Sequence, residues 1–216
     1  MHTENYPDHK REDRPGIHLL CHVGHNSINL RKEHRMKYQQ ELTLKNGKTA
    51  LLRNGVESDG AAIFETFQQT HAETDYLLSY PDENRSDPQQ EGQFLAARTA
   101  SENEIEILAL VDGKVAGNAG IEAVGSSCKV RHRAVFGISL RKEYWGLGLG
   151  KALTEACIQC AKEAGYAQLE LEVVAENTRA IALYRKEGFV EYGRNPAGFR
   201  SRISGDQELV SMLRKL

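Results

Sequence analysis

The sequence predicts an α/β protein of the α+β type, with a mixed, largely antiparallel sheet of six to seven strands and helices on both faces. Three observations carry that prediction. Residues 104–111 alternate and then run apolar, Asp112-Gly113 supplies a two-residue turn, and residues 114–122 return as a second strand. Residues 130–140 read as a strand that enters a glycine-rich turn at 146–150 and continues as a helix to about Ala164. That helix repeats Leu149, Leu153, Cys157, Cys160 and Ala164 at intervals of three and four, one face of a helical period.

The chain has 216 residues, enough for one domain with a sizeable core. It carries 28 basic and 30 acidic side chains, a net charge of −2. A nearly neutral chain offers no global electrostatic argument for nucleic acid or an anionic membrane as partner. Apolar runs such as 107–111 are far too short to span a bilayer. There is no basic segment followed by an apolar one, so no secretory signal is read. Four cysteines in this length do not make a disulfide framework, and a cytoplasmic location is expected.

The composition shifts near Met36. Six of the eight histidines (His2, His9, His18, His22, His25 and His34) precede it, in a segment of net charge +1 with few apolar residues outside 17–21. No helical or strand period persists there, so residues 1–35 are expected to be disordered or loosely attached. His18-Leu-Leu-Cys21-His22-Val-Gly-His25 has ligand types at short spacing but lacks the paired spacers of a zinc site, and no metal is expected. Lys32-Glu33 can be encoded AAG-GAG, the purine run of a bacterial ribosome-binding site, just ahead of Met36. A translation start at Met36 is therefore expected, leaving a single domain of 181 residues, 36–216.

Along that domain, 42–44 and 49–52 flank Asn46-Gly47, a hairpin signal. Ser58-Asp59 can cap a helix through Ala61, Ile63, Phe64 and Phe67. A second helical stretch is expected at 73–79, a polar loop at 81–92 where two prolines fall, and a helix at 93–100. Beyond the 104–122 hairpin come a loop at 125–129 and the strand–turn–helix unit. A strand at 167–174, a helix at 178–187 and closing strands at 189–192 and 208–212 complete the order.

The glycine turn carries the chemistry. The first N–H groups of a helix have no internal partners and point outward, and the helix dipole adds positive potential. Glycines remove the side chains that would hold a phosphate away, so the turn suits a pyrophosphate. A dinucleotide fingerprint needs a third glycine where Lys151 or Leu153 stands. A nucleotide P-loop needs glycine at Trp145 and Ser or Thr at Ala152. Both common nucleotide readings fail.

Gly146-Leu-Gly148-Leu-Gly150, between a strand and an amphipathic helix, resembles the acetyl-CoA-binding segment of the GNAT family of N-acetyltransferases. Ala175-Glu-Asn177-Thr-Arg-Ala180-Ile-Ala-Leu183-Tyr184-Arg-Lys-Glu-Gly188-Phe189 resembles that family's second signature. The resemblance runs from about Leu42 to the C-terminus and is strongest over 135–192. It departs at Trp145, where the family often has Arg or Gln; the pyrophosphate contacts there are mainly backbone, so binding is expected to survive. The resemblance implies a GNAT fold whose strand before the glycine turn carries a bulge and splays from the next. It implies that Ile138, Ser139 and Leu140 line the pantetheine arm, with backbone bonds from Ile138 and Leu140. Trp145, Gly146, Leu147, Gly148, Leu149, Gly150 and Lys151 would wrap the pyrophosphate, Asn177 would contact the cofactor near its sulfur or pantetheine amides, and Tyr184 would contact it near its sulfur.

The implied activity is transfer of the acetyl group of acetyl-CoA, as co-substrate, to a primary amine by direct attack on the thioester. The acceptor is expected to be a small-molecule amine. A protein N-terminus of the ribosomal type, or a non-catalytic acyl-CoA sensor, is the alternative, and a homodimer is left open. Tyr184 is the candidate general acid, because a phenol stays protonated at neutral pH and can donate to the departing thiolate; a packing tyrosine on an apolar helix face is the plainer reading. Asn177 also fits a plain N-cap. Glu170, Glu172 and Glu122 are candidate bases, though a solvated strand carboxylate is the plainer reading of each. Cys157 and Cys160 read as buried small hydrophobes. The acceptor side is expected at 64–93 and 193–205.

Overall fold

Alternating apolar residues build eight strands joined in one sheet, and the chain is described here by a computed structural model covering residues 35–216. The expected disorder of the N-terminal segment, the His18–Cys21–His22–His25 cluster and the Met36 start concern residues outside those described, apart from Arg35 and Met36 themselves. The strands are β1 (Gln39–Thr43), β2 (Thr49–Asn54), β3 (Ile105–Val111), β4 (Lys114–Ala123), β5 (Arg133–Leu140), β6 (Gln168–Val174), β7 (Val190–Ser201) and β8 (Gly205–Lys215). Their order across the sheet is β1-β2-β3-β4-β5-β6-β8-β7, one strand more than expected. Every neighbouring pair is antiparallel except β5–β6.

The hairpins follow their turn residues. Asp112 and Gly113 both take positive φ (52° and 75°), which suits the twist of β3 and β4. Helices α1 (Gly60–Glu73) and α2 (Pro88–Ala100) cover one face, through Ile63 and Leu95 against Leu108 and Val115. Helices α3 (Leu149–Glu163) and α4 (Thr178–Lys186) cover the other, where Leu149, Leu153, Cys157, Ile181 and Tyr184 join the main core with Ile107, Ala119, Phe136 and Leu171. Cys157 and Cys160 are free and buried on α3, in keeping with packing rather than redox chemistry. No described helix is long and apolar enough to cross a membrane.

Four expectations need correction. Residues 74–80 are not helical: Thr74 is extended (φ −148°, ψ 151°), and the Asp75 carboxylate accepts from Ser201, Ser204 and the Tyr80 hydroxyl instead. Helix α2 begins inside the expected loop, because Pro88 stands at its first position, where its missing N–H costs nothing. Asp87 accepts from Gln90 N (2.8 Å) while Gln90 Oε1 accepts from Asp87 N (3.0 Å), a reciprocal cap. β7 and β8 form one long arm rather than two short strands, its pairing interrupted by register shifts at Glu191/Gly193 and Asn195/Phe199. The expected bulge in the strand before the glycine turn is absent from the uninterrupted β4–β5 register; the irregularity lies between β3 and β4, at Ala109/Leu110.

The cap assigns a cost to one exposed carboxylate. Asp87→Ala is expected to destabilise the chain by about 1 kcal/mol, read from urea unfolding; an unchanged midpoint would contradict the reciprocal cap.

Candidate functional site

β5 pairs with β6 only through Arg133–Gln168, Ala134–Leu169 and Val135–Glu170, and the two strands then diverge. Arg141 N donates to Ala116 O (2.9 Å) and Val124 N to Arg133 O (3.1 Å), which fixes the antiparallel alternation between β4 and β5. Val135, Gly137 and Ser139 therefore turn their backbone groups toward β4. Phe136, Ile138 and Leu140 turn theirs toward β6, which has left. Ile138 and Leu140 sit where the resemblance wants backbone donors and acceptors beside an extended ligand. Ser139 does not: its backbone faces β4 and its hydroxyl donates to Asn118 Oδ1 (2.8 Å) on the α1/α2 face.

The divergence leads into the glycine turn. Gly146 and Gly148 have φ of 83° and 98°, a region that costs other residues strain. The first internal bond of α3 is Ala152 N to Gly148 O (3.1 Å), so the N–H groups of Leu149, Gly150 and Lys151 precede the ladder and face outward. The Leu149 side chain is buried and anchors the turn, while Leu147 O accepts from Lys45 N (3.1 Å). Gly150 packs against Leu140 and Leu183. Lys151 is engaged by Glu155 (2.6 Å) along the helix. Trp145 acts locally: its indole Nε1 donates to Leu140 O (2.9 Å) and its ring carries the Arg179 guanidinium at 5.8 Å. That guanidinium comes so near Gly146 that a Cβ there would lie 2.8 Å from Nη2. Arg179 thus places a cation beside the glycine turn, and no local signal in the sequence marks it.

Asn177 caps α4, its Oδ1 accepting from Ala180 N (3.2 Å). Tyr184 lies about two turns further along α4, 7% exposed, edge-on to Phe136 (centroids 6.1 Å, 86°) and near Phe189 (5.9 Å). Burial pushes its phenol up to about 12, so it stays protonated across the working range of an enzyme. Its hydroxyl has no hydrogen-bond partner among the described residues.

On the α1/α2 face the three candidate carboxylates separate. Glu170 is gripped by Arg133 through Nε (2.5 Å) and Nη2 (2.7 Å), and that guanidinium holds it below the usual carboxylate range. It clamps the closed end of the divergence and is poorly placed to take a proton. Glu122 is exposed and paired with Arg98 (2.8 Å). Glu172 is exposed on β6 beyond the divergence and accepts from Ser211 Oγ (3.2 Å), with no ion pair among the described residues. A fourth carboxylate, Glu106 of β3, was hidden in an alternating strand. It is half-buried, accepts from Asn118 Nδ2 (2.6 Å), and is pushed up to about 7 by desolvation.

The two expected acceptor segments meet. Tyr80 hydroxyl lies 3.1 Å from Ser201 Oγ, and Arg202 pairs with Asp82 (2.9 Å) and Glu83 (3.1 Å). Beside this junction a cavity of about 460 Å³ is lined by Glu73, Asp75, Trp145, Glu176 and Asp206, with Lys142 the one cation among the described lining residues.

A family model described as the acetyltransferase (GNAT) family matches residues 65–189. The chain is 45% identical over 58 residues to a mycothiol acetyltransferase of Paenarthrobacter aurescens, covering 27% of this chain and 18% of that protein. It is 46% identical over 57 residues to the ribosomal protein bS18-alanine N-acetyltransferase of Escherichia coli, covering 26% of this chain and 38% of that one. The chain thus spans less than two fifths of the length of these curated relatives. A crystal structure of a GNAT-family acetyltransferase from Streptococcus pneumoniae superposes with a TM-score of 0.74 at 30% identity, over 77% of this chain and 99% of that one.

Glu106 also ties stability to pH. Its carboxyl is held near 7 against an ordinary 4.5, so the native chain binds more protons than the unfolded one between those values. Stability then falls as pH rises through that window. Glu106→Gln is expected to melt above the wild type at pH 8 and level with it at pH 4, by scanning calorimetry; an equal gain at both would contradict the buried-carboxyl assignment.

Proposed function

The chain belongs to the GNAT family of acetyltransferases, and from that premise we propose that it transfers the acetyl group of acetyl-CoA to a primary amine by direct attack on the thioester. The observation that carries the reading is the divergence of β5 from β6 and its continuation into the turn at Gly146, Gly148 and Gly150. The freed backbone groups of Ile138 and Leu140 suit the amides of a pantetheine arm lying as a pseudo-strand. The Leu140 carbonyl is already taken by Trp145, which leaves its N–H and both groups of Ile138. The outward N–H groups of Leu149, Gly150 and Lys151 suit the pyrophosphate, with Arg179 adding charge beside them.

The chemistry then divides between the two faces of the sheet. An alkyl ammonium has a pKa near ~10.4, so well under a hundredth is free amine at neutral pH. A carboxylate on the α1/α2 face, directly or through water, takes the proton; of the three carboxylates first considered, Glu172 is the one outside an ion pair. The amine lone pair attacks the thioester carbon, the C–S bond breaks, and the departing thiolate receives its proton from Tyr184 on the opposite face. Burial keeps that phenol protonated until it is needed.

Carboxylates dominate the cavity at the mouth, which favours a cationic acceptor. A small-molecule amine is the first reading, in line with the mycothiol acetyltransferase likeness. The likeness to the ribosomal protein bS18-alanine N-acetyltransferase supports a peptide N-terminus as the second. Release of CoA thiol from acetyl-CoA, assayed against polyamines, amino acids, aminoglycosides and short peptides, names the class. Tyr184→Phe is expected to lower kcat by ~10²–10⁴-fold while acetyl-CoA still raises the melting temperature. Undiminished turnover would leave Tyr184 a packing residue, and cofactor binding without turnover of any amine would mark a sensor.

A further inference from the structure

Three adjacent strands place a polar row on the α1/α2 face: Glu106 on β3, Asn118 on β4 and Ser139 on β5. Ser139 Oγ donates to Asn118 Oδ1 (2.8 Å), and Asn118 Nδ2 donates to Glu106 Oε1 (2.6 Å). The serine thereby fixes which way the amide points, and the amide fixes the carboxylate. Oε2 is left over Gly120, so close that a Cβ on that residue would stand 2.1 Å away. Gly120 pairs with Gly137 of β5, where a Cβ would meet nothing within 4 Å. Gly120 thus lies under the Glu106 carboxylate itself, and Gly137 beside it is bare floor on β5. The floor ends one residue before Ile138, whose backbone faces the divergence.

The charges around Glu106 come from every side. Glu91 and Arg98 belong to α2 and Glu122 to β4, while across the sheet the Cys157 thiol of α3, raised by burial and in part by Glu106, stays neutral. Arg98 is held by Glu104 and Glu122 and does not pair with Glu106. Burial outweighs the remaining attraction and raises the carboxyl to about 7, where a base both exists as carboxylate and binds a proton well.

We propose that the acceptor amine enters over Gly137 and gives its proton to Glu106 Oε2, directly or through one water. The ammonium loses one proton and becomes a free amine, Glu106 becomes the neutral acid, and solvent later removes that proton. The nitrogen then faces the thioester at Ile138 with Tyr184 beyond it. This rests on the acetyl-transfer reading and replaces Glu172 as the proton acceptor.

Alaninamide, the probe, is titrated against wild type, Gly137→Ala, Glu106→Gln and Glu172→Gln. Gly137→Ala adds one methyl in open space, so folding and the acetyl-CoA KM stay unchanged while the alaninamide KM rises about tenfold. Glu106→Gln removes the rise of kcat/KM near pH 7 and lowers its plateau ~10²-fold or more; Glu172→Gln keeps the rise. An unchanged alaninamide KM in Gly137→Ala, or a rise lost in Glu172→Gln and kept in Glu106→Gln, overturns the proposal. Should the wild type turn over no alaninamide, melting with CoA bound decides. A rise in melting temperature on adding alaninamide that Gly137→Ala abolishes supports the groove, and no such rise overturns it. The shift caused by acetyl-CoA alone reports separately on the cofactor reading.

Discussion

The parting of β5 from β6 after the Val135–Glu170 pair is the constraint on which the other features depend. A strand deep inside a sheet normally satisfies its backbone on both sides, and an unpaired buried N–H or C=O is costly. Here one edge of β5 is left open beyond residue 135. The closed end is held by the Arg133–Glu170 pair, which bridges the last strand-to-strand step. The open end is held by the turn, where Trp145 closes on Leu140 and Gly150 lets α3 start against Leu140 and Leu183. The sheet is in effect two blocks, β1–β5 and β6-β8-β7, hinged on three residue pairs.

That opening joins two environments that are otherwise separated by the sheet. On the α3/α4 side lie the outward N–H groups, Arg179 and a phenol kept protonated by burial. On the α1/α2 side lie carboxylates: one neutralised by an arginine, two exposed, and one lifted by burial. A reaction that needs a proton taken from one reactant and another given to a leaving group is served by groups whose environments push them apart. The fold supplies that separation by geometry, since neither Tyr184 nor Glu106 has a charged partner in direct contact among the described residues.

The helical face of α3 and the glycines before it were legible because both signals are local and act within one or two turns. The Asp112-Gly113 hairpin was legible for the same reason. The β7–β8 arm was not, because its pairing is broken by register shifts at Glu191/Gly193 and Asn195/Phe199 that interrupt any simple alternation. The start of α2 was misread because proline was weighed as a breaker and not as a first-turn residue. Asp75 shows why 74–80 is not helical: its partners, Ser201 and Ser204, are more than a hundred residues away. The strand–turn–helix geometry at Gly146–Gly150 and the place of Tyr184 on the apolar face of α4 were readable from glycine spacing and helical period. The environment of Glu106 was not, because in a period-two strand it looks like any solvent-facing carboxylate, and only tertiary packing desolvates it beside Asn118. Ser139 was assigned to the cofactor side from its neighbours, but strand alternation turns its hydroxyl the other way.

The central claim is that acetyl-CoA lies along the open edge of β5 with its pyrophosphate on the first turn of α3. Amide resonances of the ¹⁵N-labelled chain, followed as acetyl-CoA is added, test it residue by residue. The account predicts the largest shifts at Ile138, Leu140, Leu149, Gly150 and Lys151, whose N–H groups face the cleft. Saturation with those five amides unmoved, and shifts gathered elsewhere on the sheet, would contradict it.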